Sequence, residues 1–209
     1  AGDFVQAYMC ETPVILSRGE DRKFHANINS CTHRGLPVCR ADHGNTKRFV
    51  CPYHNWSYAV DGRLLTIPQE SELANQPDKT QLGLKPIPRV ESWRGLIFGS
   101  FDPDIEALDT YLGDMRFYLD AFLDRFPGGI EFMGAPHRWV LNANWKLPVE
   151  NQLGDVNHGA FLHGAIIPRE AQSLIEKLGY SVVTRPGHGA TFRIMPEDAP
   201  VDDVAWGME

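Results

Sequence analysis

Asn29-Ser30-Cys31-Thr32-His33-Arg34-Gly35-Leu36-Pro37-Val38-Cys39-Arg40, followed after a short polar insert by Phe49-Val50-Cys51-Pro52-Tyr53-His54-Asn55-Trp56-Ser57-Tyr58-Ala59-Val60-Asp61-Gly62-Arg63-Leu64, decides the reading of this chain. Two Cys-His pairs stand in it, Cys31/His33 and Cys51/His54, with seventeen residues between His33 and Cys51. Each pair offers one thiolate and one imidazole. That donor set suits a [2Fe–2S] cluster in which two cysteines hold one iron and two histidines the other. Neutral imidazoles reduce the negative charge around the metal, so the reduced cluster is less disfavoured than with four thiolates. Gly35 and Pro52 fit tight loops that present the histidine tips. The alternative is zinc, which also takes two cysteines and two histidines but through a Cys-x₂₋₄-Cys knuckle. Here each loop mixes the two residue types, and the first has a single residue between its ligands.

Around these loops, residues 1–100 read as short strands in an all-β domain. Phe4–Met9, Pro13–Ser17, Arg48–Val50 and Gly95–Phe98 are β-rich, and Ser17-Arg18-Gly19 and Asp61-Gly62 are turn signals. The polar, proline-bearing stretch Pro68–Pro88 is expected to wrap the surface. The period then changes near residues 98–104, so residues 101–209 are expected to form a second part. Asp102-Pro103 reads as a helix start. Ile105, Leu108, Leu112, Met115, Leu119, Phe122 and Phe126 form one apolar stripe, which predicts a single helix of about six turns ending at Pro127-Gly128-Gly129. Ile130–Leu141 reads as strand, about Trp145–His163 as mostly helix, and Tyr180–Thr184 and Ala190–Ile194 as possible strands.

A second constellation lies in Asn144–His163. Asp155 and His158 are three residues apart and share a helix face, whereas His163 is five beyond His158. On a regular helix that spacing turns His163 roughly 140–150° away, so the imidazoles converge only if the helix bulges or ends between them. Gly159 and Gly164 favour such a break. Two imidazoles with a carboxylate suit non-haem Fe(II), whose facial triad leaves open positions for oxygen. Standing alone, the spacing also fits a helix with polar histidines at a surface. His25, His43, His137 and His188 read as ordinary surface or packing histidines.

The formal net charge of −7 argues against a nucleic-acid footprint. No apolar run approaches about 18 residues, so no membrane span is expected. The four cysteines do not form a disulfide framework, because Cys10 and Cys39 lack an obvious partner. A reducing cytoplasm fits best.

The Cys-His stretch closely resembles the Rieske family. Respiratory members carry an extra cysteine in each loop, joined as a disulfide; the corresponding places here are Leu36 and Tyr53. They also carry a serine that donates to the cluster where this chain has Trp56. With that donor missing, the expected potential lies near the low end of the Rieske range, about −150 mV. The pattern C-x-H-R-G with C-x-Y-H-x-W resembles the oxygenase branch, although Asn55 replaces the usual glycine. Asn144-Trp145-Lys146-Leu147, Glu150-Asn151 and Asp155-x-x-His158-x₄-His163 resemble the catalytic signature of Rieske non-haem iron aromatic-ring oxygenases. Asn157 stands where tyrosine is common.

The resemblance implies an α+β α subunit: an all-β Rieske domain followed by the first half of a helix-grip catalytic domain. It implies that Cys31, His33, Cys51 and His54 hold the cluster and that His158 and His163 bind mononuclear Fe(II). Asn151 lies near that iron, and Asp155 bridges the iron histidine to a Rieske histidine of a neighbouring subunit. The implied partners are an aromatic substrate, O2, a ferredoxin and/or reductase delivering NADH electrons, and a homotrimer of α subunits with or without a β subunit. The usual outcome is cis-dihydroxylation, in a bacterial cytoplasm. The family's third iron ligand is expected beyond residue 209, which makes this a partial chain expected to bind the cluster well and mononuclear iron weakly. The other readings are a Rieske electron carrier without catalysis and a zinc-stabilised module.

Overall fold

The computed structural model describes residues 1–133, 137, 139–155, 158, 162, 163, 165, 179–185 and 187–193. The chain forms two compact units, Ala1–Leu108 and Asp109–Glu209.

The first unit is built from short antiparallel strands. β1 (Asp3–Met9), β2 (Thr12–Arg18), β3 (Phe24–Ile28) and β4 (His43–Asn45) form a four-stranded sheet in the order β3-β2-β1-β4. β5 (Arg48–Val50), β6 (Ser57–Ala59) and β7 (Leu64–Thr66) form a second sheet in chain order. β8 (Arg89–Trp93) and β9 (Leu96–Ser100) make a separate hairpin. The expected strand segments and the Asp61-Gly62 turn are found here, whereas Ser17 and Arg18 still belong to β2 and the turn after it begins at Gly19. Between Leu64–Thr66 and Arg89–Trp93 the chain makes two short 3₁₀ turns, Glu70–Glu72 and Lys79–Gln81, with no buried residue in either.

Strand alternation decides which side chains meet. Phe49 pairs opposite Tyr58 across β5 and β6, and both are buried. With Ile15, Val38, Cys39, Val60, Leu64, Ile67 and Leu84 they form the main core. Cys31 and Cys51 belong to this same core. The two Cys-His loops therefore spring from its edge, one between β3 and β4 and the other between β5 and β6.

The stretch after β9 departs from three expectations. The six-turn helix is instead two shorter ones, α1 (Leu108–Leu112) and α2 (Met115–Leu123). Gly113 separates them at φ +49°, a conformation that a continuous helix does not contain. Asp102 does not start a helix: its Oδ1 accepts the Asp104 N–H and closes a local turn. The N–H of Leu108 is capped by Glu91 Oε2 at 3.2 Å. Leu108, Leu112, Met115 and Leu123 are buried, while Phe122 and Phe126 are exposed, because the break re-phases the second helix.

Ile130–Leu141 is not a strand at its described residues, and no described strand pairs with it. Met133, Trp139 and Val140 are exposed there. Within the expected helix over 145–163, α3 (Lys146–Leu153) is closed by Gly154, and beyond it His158 and Leu162 are again helical. Pro148 sits in its first turn, where a missing N–H costs no intrahelical bond. β10 (Gly179–Val183) and β11 (Gly189–Arg193) form an antiparallel hairpin. Asn157, Gly159, Gly164 and Ile194 lie outside the described residues.

Candidate metal centres

The two Cys-His loops share one hydrogen-bonding frame. The Cys31 carbonyl accepts the Gly35 N–H at 2.8 Å, and the Cys31 N–H donates to the Leu36 carbonyl at 2.8 Å. In the second loop, the Cys51 carbonyl accepts the Asn55 N–H at 2.9 Å, and the Cys51 N–H donates to the Trp56 carbonyl at 2.8 Å. Both turns need a left-handed residue at the same place, supplied by Gly35 (φ 79°) and Asn55 (φ 56°). Asparagine is among the few non-glycine residues that enter this region readily, which accounts for Asn55 standing where glycine is usual.

This frame sets Cys31 and Cys51 in one core and brings the His33 and His54 rings together. Cys31 and Cys51 are only 3% and 2% exposed, while His33 lies at the surface and His54 is partly covered. The two imidazoles meet edge to face with ring centroids 4.6 Å apart. Trp56 stacks flat on His33 at 4.9 Å, Tyr53 leans on His54 at 3.9 Å, and the Arg34 guanidinium lies over the Tyr53 ring at 5.6 Å. Burial, His33 and Arg34 together hold the His54 imidazole below the ordinary histidine range. It therefore favours the neutral form that a metal ligand requires.

One atom tests whether a metal group fits. His54 Nδ1 is buried and has no hydrogen-bond partner. A buried ring nitrogen left unpaired costs free energy unless something coordinates it. Together with two buried sulfurs and the neighbouring His33 ring, the donor set fits a cluster held by two thiolates and two imidazoles.

Two residues of this site were not singled out from the sequence. Tyr58 is fully buried, with its hydroxyl 3.2 Å from Cys31 Sγ and 3.0 Å from Thr32 Oγ1. Burial and the Cys31 sulfur beside it push the phenol well above the ordinary tyrosine range, so it stays a donor. Asn29 holds the far side of the first loop. Its Oδ1 accepts the N–H groups of Val38 (2.9 Å) and Cys39 (3.0 Å), and its Nδ2 donates to the Cys39 carbonyl (2.7 Å) and Gln6 Oε1 (2.9 Å). The alternation of Phe49 and Tyr58 on facing strands was the available signal for Tyr58. Asn29 carried none, since its burial follows from the loop returning Val38 and Cys39 to it and from Gln6 on β1.

The second constellation also assembles, although not on one helix. Gly154 closes α3, and Asp155 begins a new turn: its Oδ1 accepts the His158 N–H at 3.0 Å, as an N-cap does three residues ahead. His158 Nδ1 lies 2.6 Å from the Asp155 carbonyl. A carbonyl only accepts, so Nδ1 carries the proton and Nε2 keeps its lone pair. Asn151 Nδ2 donates to that lone pair at 3.3 Å. The rings of His158 and His163 come to 5.7 Å, centroid to centroid. The pair thus offers a lone pair on His158 beside a second imidazole, which fits two positions of a mononuclear iron site. Among the described residues no group of three or more His, Cys, Asp or Glu stands ready to enclose a metal.

Residues 1–77 match the Rieske [2Fe-2S] domain family. Beyond it, the large oxygenase component of the naphthalene 1,2-dioxygenase system of Ralstonia sp is 40% identical over 206 residues, covering 98% of this chain and 45% of that protein. The chain belongs to the large-subunit family of Rieske oxygenases. Another of these large subunits, the α subunit of biphenyl 2,3-dioxygenase from Rhodococcus jostii, is 42% identical over 159 residues, covering 76% of this chain and 34% of that one. A solved naphthalene 1,2-dioxygenase from Rhodococcus sp., bound to indole, has a TM-score of 0.80 at 40% identity, covering 95% of this chain and 46% of its own. A naphthalene 1,2-dioxygenase variant bound to phenanthrene has a TM-score of 0.82 at 36% identity, covering 91% and 45%. The chain thus spans about half the length of these large-subunit relatives. The mostly β first unit carries the Rieske [2Fe–2S] domain of the family, within an α+β chain. No helix among the described residues is long and apolar enough to cross a membrane.

Proposed function

We propose that this chain serves in the terminal oxygenase of an aromatic-ring-hydroxylating dioxygenase system. The unpartnered, buried Nδ1 of His54, in a loop pair whose two cysteines are buried, carries the reading. Cys31 and Cys51 would hold one iron of the cluster and His33 and His54 the other. His158 and His163 would supply two imidazoles to a mononuclear Fe(II), with Asn151 beside them. When bound, the cluster supplies one-electron transfer, and the mononuclear iron supplies open positions for O2 activation.

The chain's own residues set the terms of that chemistry. The buried core around Cys31 and Cys51 keeps water from the sulfurs, while His33 is exposed and His54 half-buried, so an electron donor or acceptor would approach at His33. The Asp155 carbonyl fixes which His158 nitrogen carries the proton. Asn151 holds the other nitrogen until a metal replaces it. The Asp155 carboxylate orders the His158 backbone, and we assign it the bridge between a Rieske histidine of an adjacent subunit and this iron site. The substrate would be an aromatic ring and the outcome cis-dihydroxylation. Electrons would come from NADH through a ferredoxin and/or reductase, and α subunits would assemble as a trimer with or without a β subunit. Free cysteines and bacterial relatives support a cytoplasmic location.

An electron carrier needs only the first unit, whereas similarity to oxygenase large subunits runs over 98% of the chain and includes the paired His158 and His163. The test uses the full-length enzyme. Reduced protein should give the low-temperature EPR signal of a Rieske cluster. His158→Ala should abolish substrate oxidation while keeping that signal. An unchanged turnover in His158→Ala would return the chain to the electron-carrier reading.

A further inference from the structure

We propose that Thr32 sets how strongly Tyr58 donates to the Cys31 sulfur, and thereby tunes the reduction potential of the cluster; the inference rests on the cluster reading above. Three contacts carry it. Thr32 Oγ1 lies 2.7 Å from the Leu82 carbonyl, which only accepts, so the single hydroxyl proton of Thr32 is engaged there. The Thr32 N–H donates to the Tyr58 oxygen at 3.3 Å. With its proton engaged, Thr32 Oγ1 meets Tyr58 Oη at 3.0 Å as an acceptor. The phenol thus has one proton and two acceptors, Thr32 Oγ1 at 3.0 Å and Cys31 Sγ at 3.2 Å.

The competition has a sign. A donor to a cluster sulfur stabilises the more negative, reduced state and raises the potential. Every fraction of the Tyr58 proton that goes to Thr32 weakens that effect. Thr32 is therefore a positioning residue that lowers the potential without touching the metal.

Leu82 is placed firmly enough for this. The next residue, Gly83, packs so closely that a Cβ there would lie 3.0 Å from the Gly62 carbonyl oxygen. The Leu84 N–H donates to that same Gly62 carbonyl at 2.8 Å, and Leu84 is buried in the core. Leu82 lies beyond residues 1–77, the part matched by the Rieske domain family. The acceptor that engages Thr32 thus comes from the segment after that domain core.

The experiment is a redox titration of the cluster-loaded, full-length protein followed by visible absorption and EPR. Absence of a [2Fe–2S] spectrum in the wild type would overturn the cluster reading itself. With the cluster present, Thr32→Val should raise the potential by up to about tenfold in the reduction equilibrium, about 59 mV for one electron. Thr32→Ser, which keeps the oxygen, should match the wild type. Tyr58→Phe should lower the potential, and adding Thr32→Val to it should change nothing further. An unchanged or lowered potential in Thr32→Val, or an equal shift in the Tyr58→Phe background, overturns the proposal. Should Thr32→Val not load, Thr32→Ala carries the same expectation. If neither loads, the cysteinyl Fe–S stretching bands decide: they must shift in deuterated solvent in the wild type and not in Tyr58→Phe.

Discussion

Gly35 and Asn55 occupy the same place in two matching loops: each has a positive φ, and each donates its N–H to the carbonyl of the cysteine four residues before it. The relationship makes the backbone, rather than any side chain, the source of the loop shape. An L-residue other than asparagine or glycine pays about 1–2 kcal/mol to stand there. Asn55→Ala is therefore expected to destabilise the loaded protein by about 1 kcal/mol and Asn55→Gly to leave it at least as stable. Gly35→Ala should cost a similar amount through conformation alone, since its Cβ would meet nothing nearer than Ser30 Oγ at 3.9 Å. Denaturant unfolding of the three variants measures this. An Asn55→Ala protein as stable as Asn55→Gly would show that the left-handed turn is not under load.

Asn29 makes a sharper prediction because its partners differ in kind. Two backbone N–H groups point at its oxygen, while a carbonyl and an amide oxygen receive its nitrogen. Asn29→Ala strands buried groups and should cost at least about 3 kcal/mol. Asn29→Asp keeps the shape and the two accepted bonds. It also sets a carboxylate oxygen against the Cys39 carbonyl, 2.7 Å away from the present nitrogen. It should destabilise more than Ala at neutral pH and recover on acidification as the carboxyl gains a proton. Circular dichroism melts of both variants at neutral and acid pH check the order; an Asp variant more stable than Ala at pH 7 would contradict the assignment of the amide.

The strands of the first unit were legible because short alternating runs and Asp61-Gly62 or Ser17-Arg18-Gly19 turns are local signals. The candidate cluster ligands stood out in the sequence because such chemistry constrains spacing. The single long helix was not what the stripe promised. Periodicity from Leu108 to Phe122 runs through Gly113 without a mark, and only the fold reveals its positive φ. Ile130–Leu141 has strand-like composition, but composition does not supply a neighbouring strand. Asp155 and His158 were expected on one helix face and instead meet through an N-cap across a helix end. The two residues still meet, by a different local geometry.

Asp61 should give the first unit part of its acid sensitivity. Burial raises its pKa, but the Arg63 N–H (3.0 Å) and the Arg63 guanidinium (2.7 Å) outweigh it, so the carboxyl sits below its ordinary value. A lowered folded-state pKa means stability that is present above the unfolded value, about 3.9, and lost as pH falls through the folded one. The turn matters to the site because it joins β6, which carries Tyr58, to β7, and because its Gly62 carbonyl seats Leu84. Asp61→Asn should be less stable than the wild type at neutral pH, with the difference closing as the pH falls below the unfolded value and through the lowered folded one. A stability gap that stays constant from pH 7 to pH 3 would mean that the Asp61 charge contributes nothing.

Asp155 holds two roles that substitutions can separate. Its carboxylate caps the turn bearing His158, and we assign it the electron bridge between subunits. Asparagine caps about as well as aspartate, whereas alanine does not cap and typically costs about 1 kcal/mol. In the full-length enzyme, Asp155→Asn should therefore keep the wild-type stability and Asp155→Ala should lose about 1 kcal/mol. Both should lose substrate oxidation while retaining the Rieske EPR signal, because the negative charge is absent in each. If Asp155→Asn keeps its turnover and only Asp155→Ala loses it, the carboxylate serves as a cap alone, and the electron path must run through other atoms.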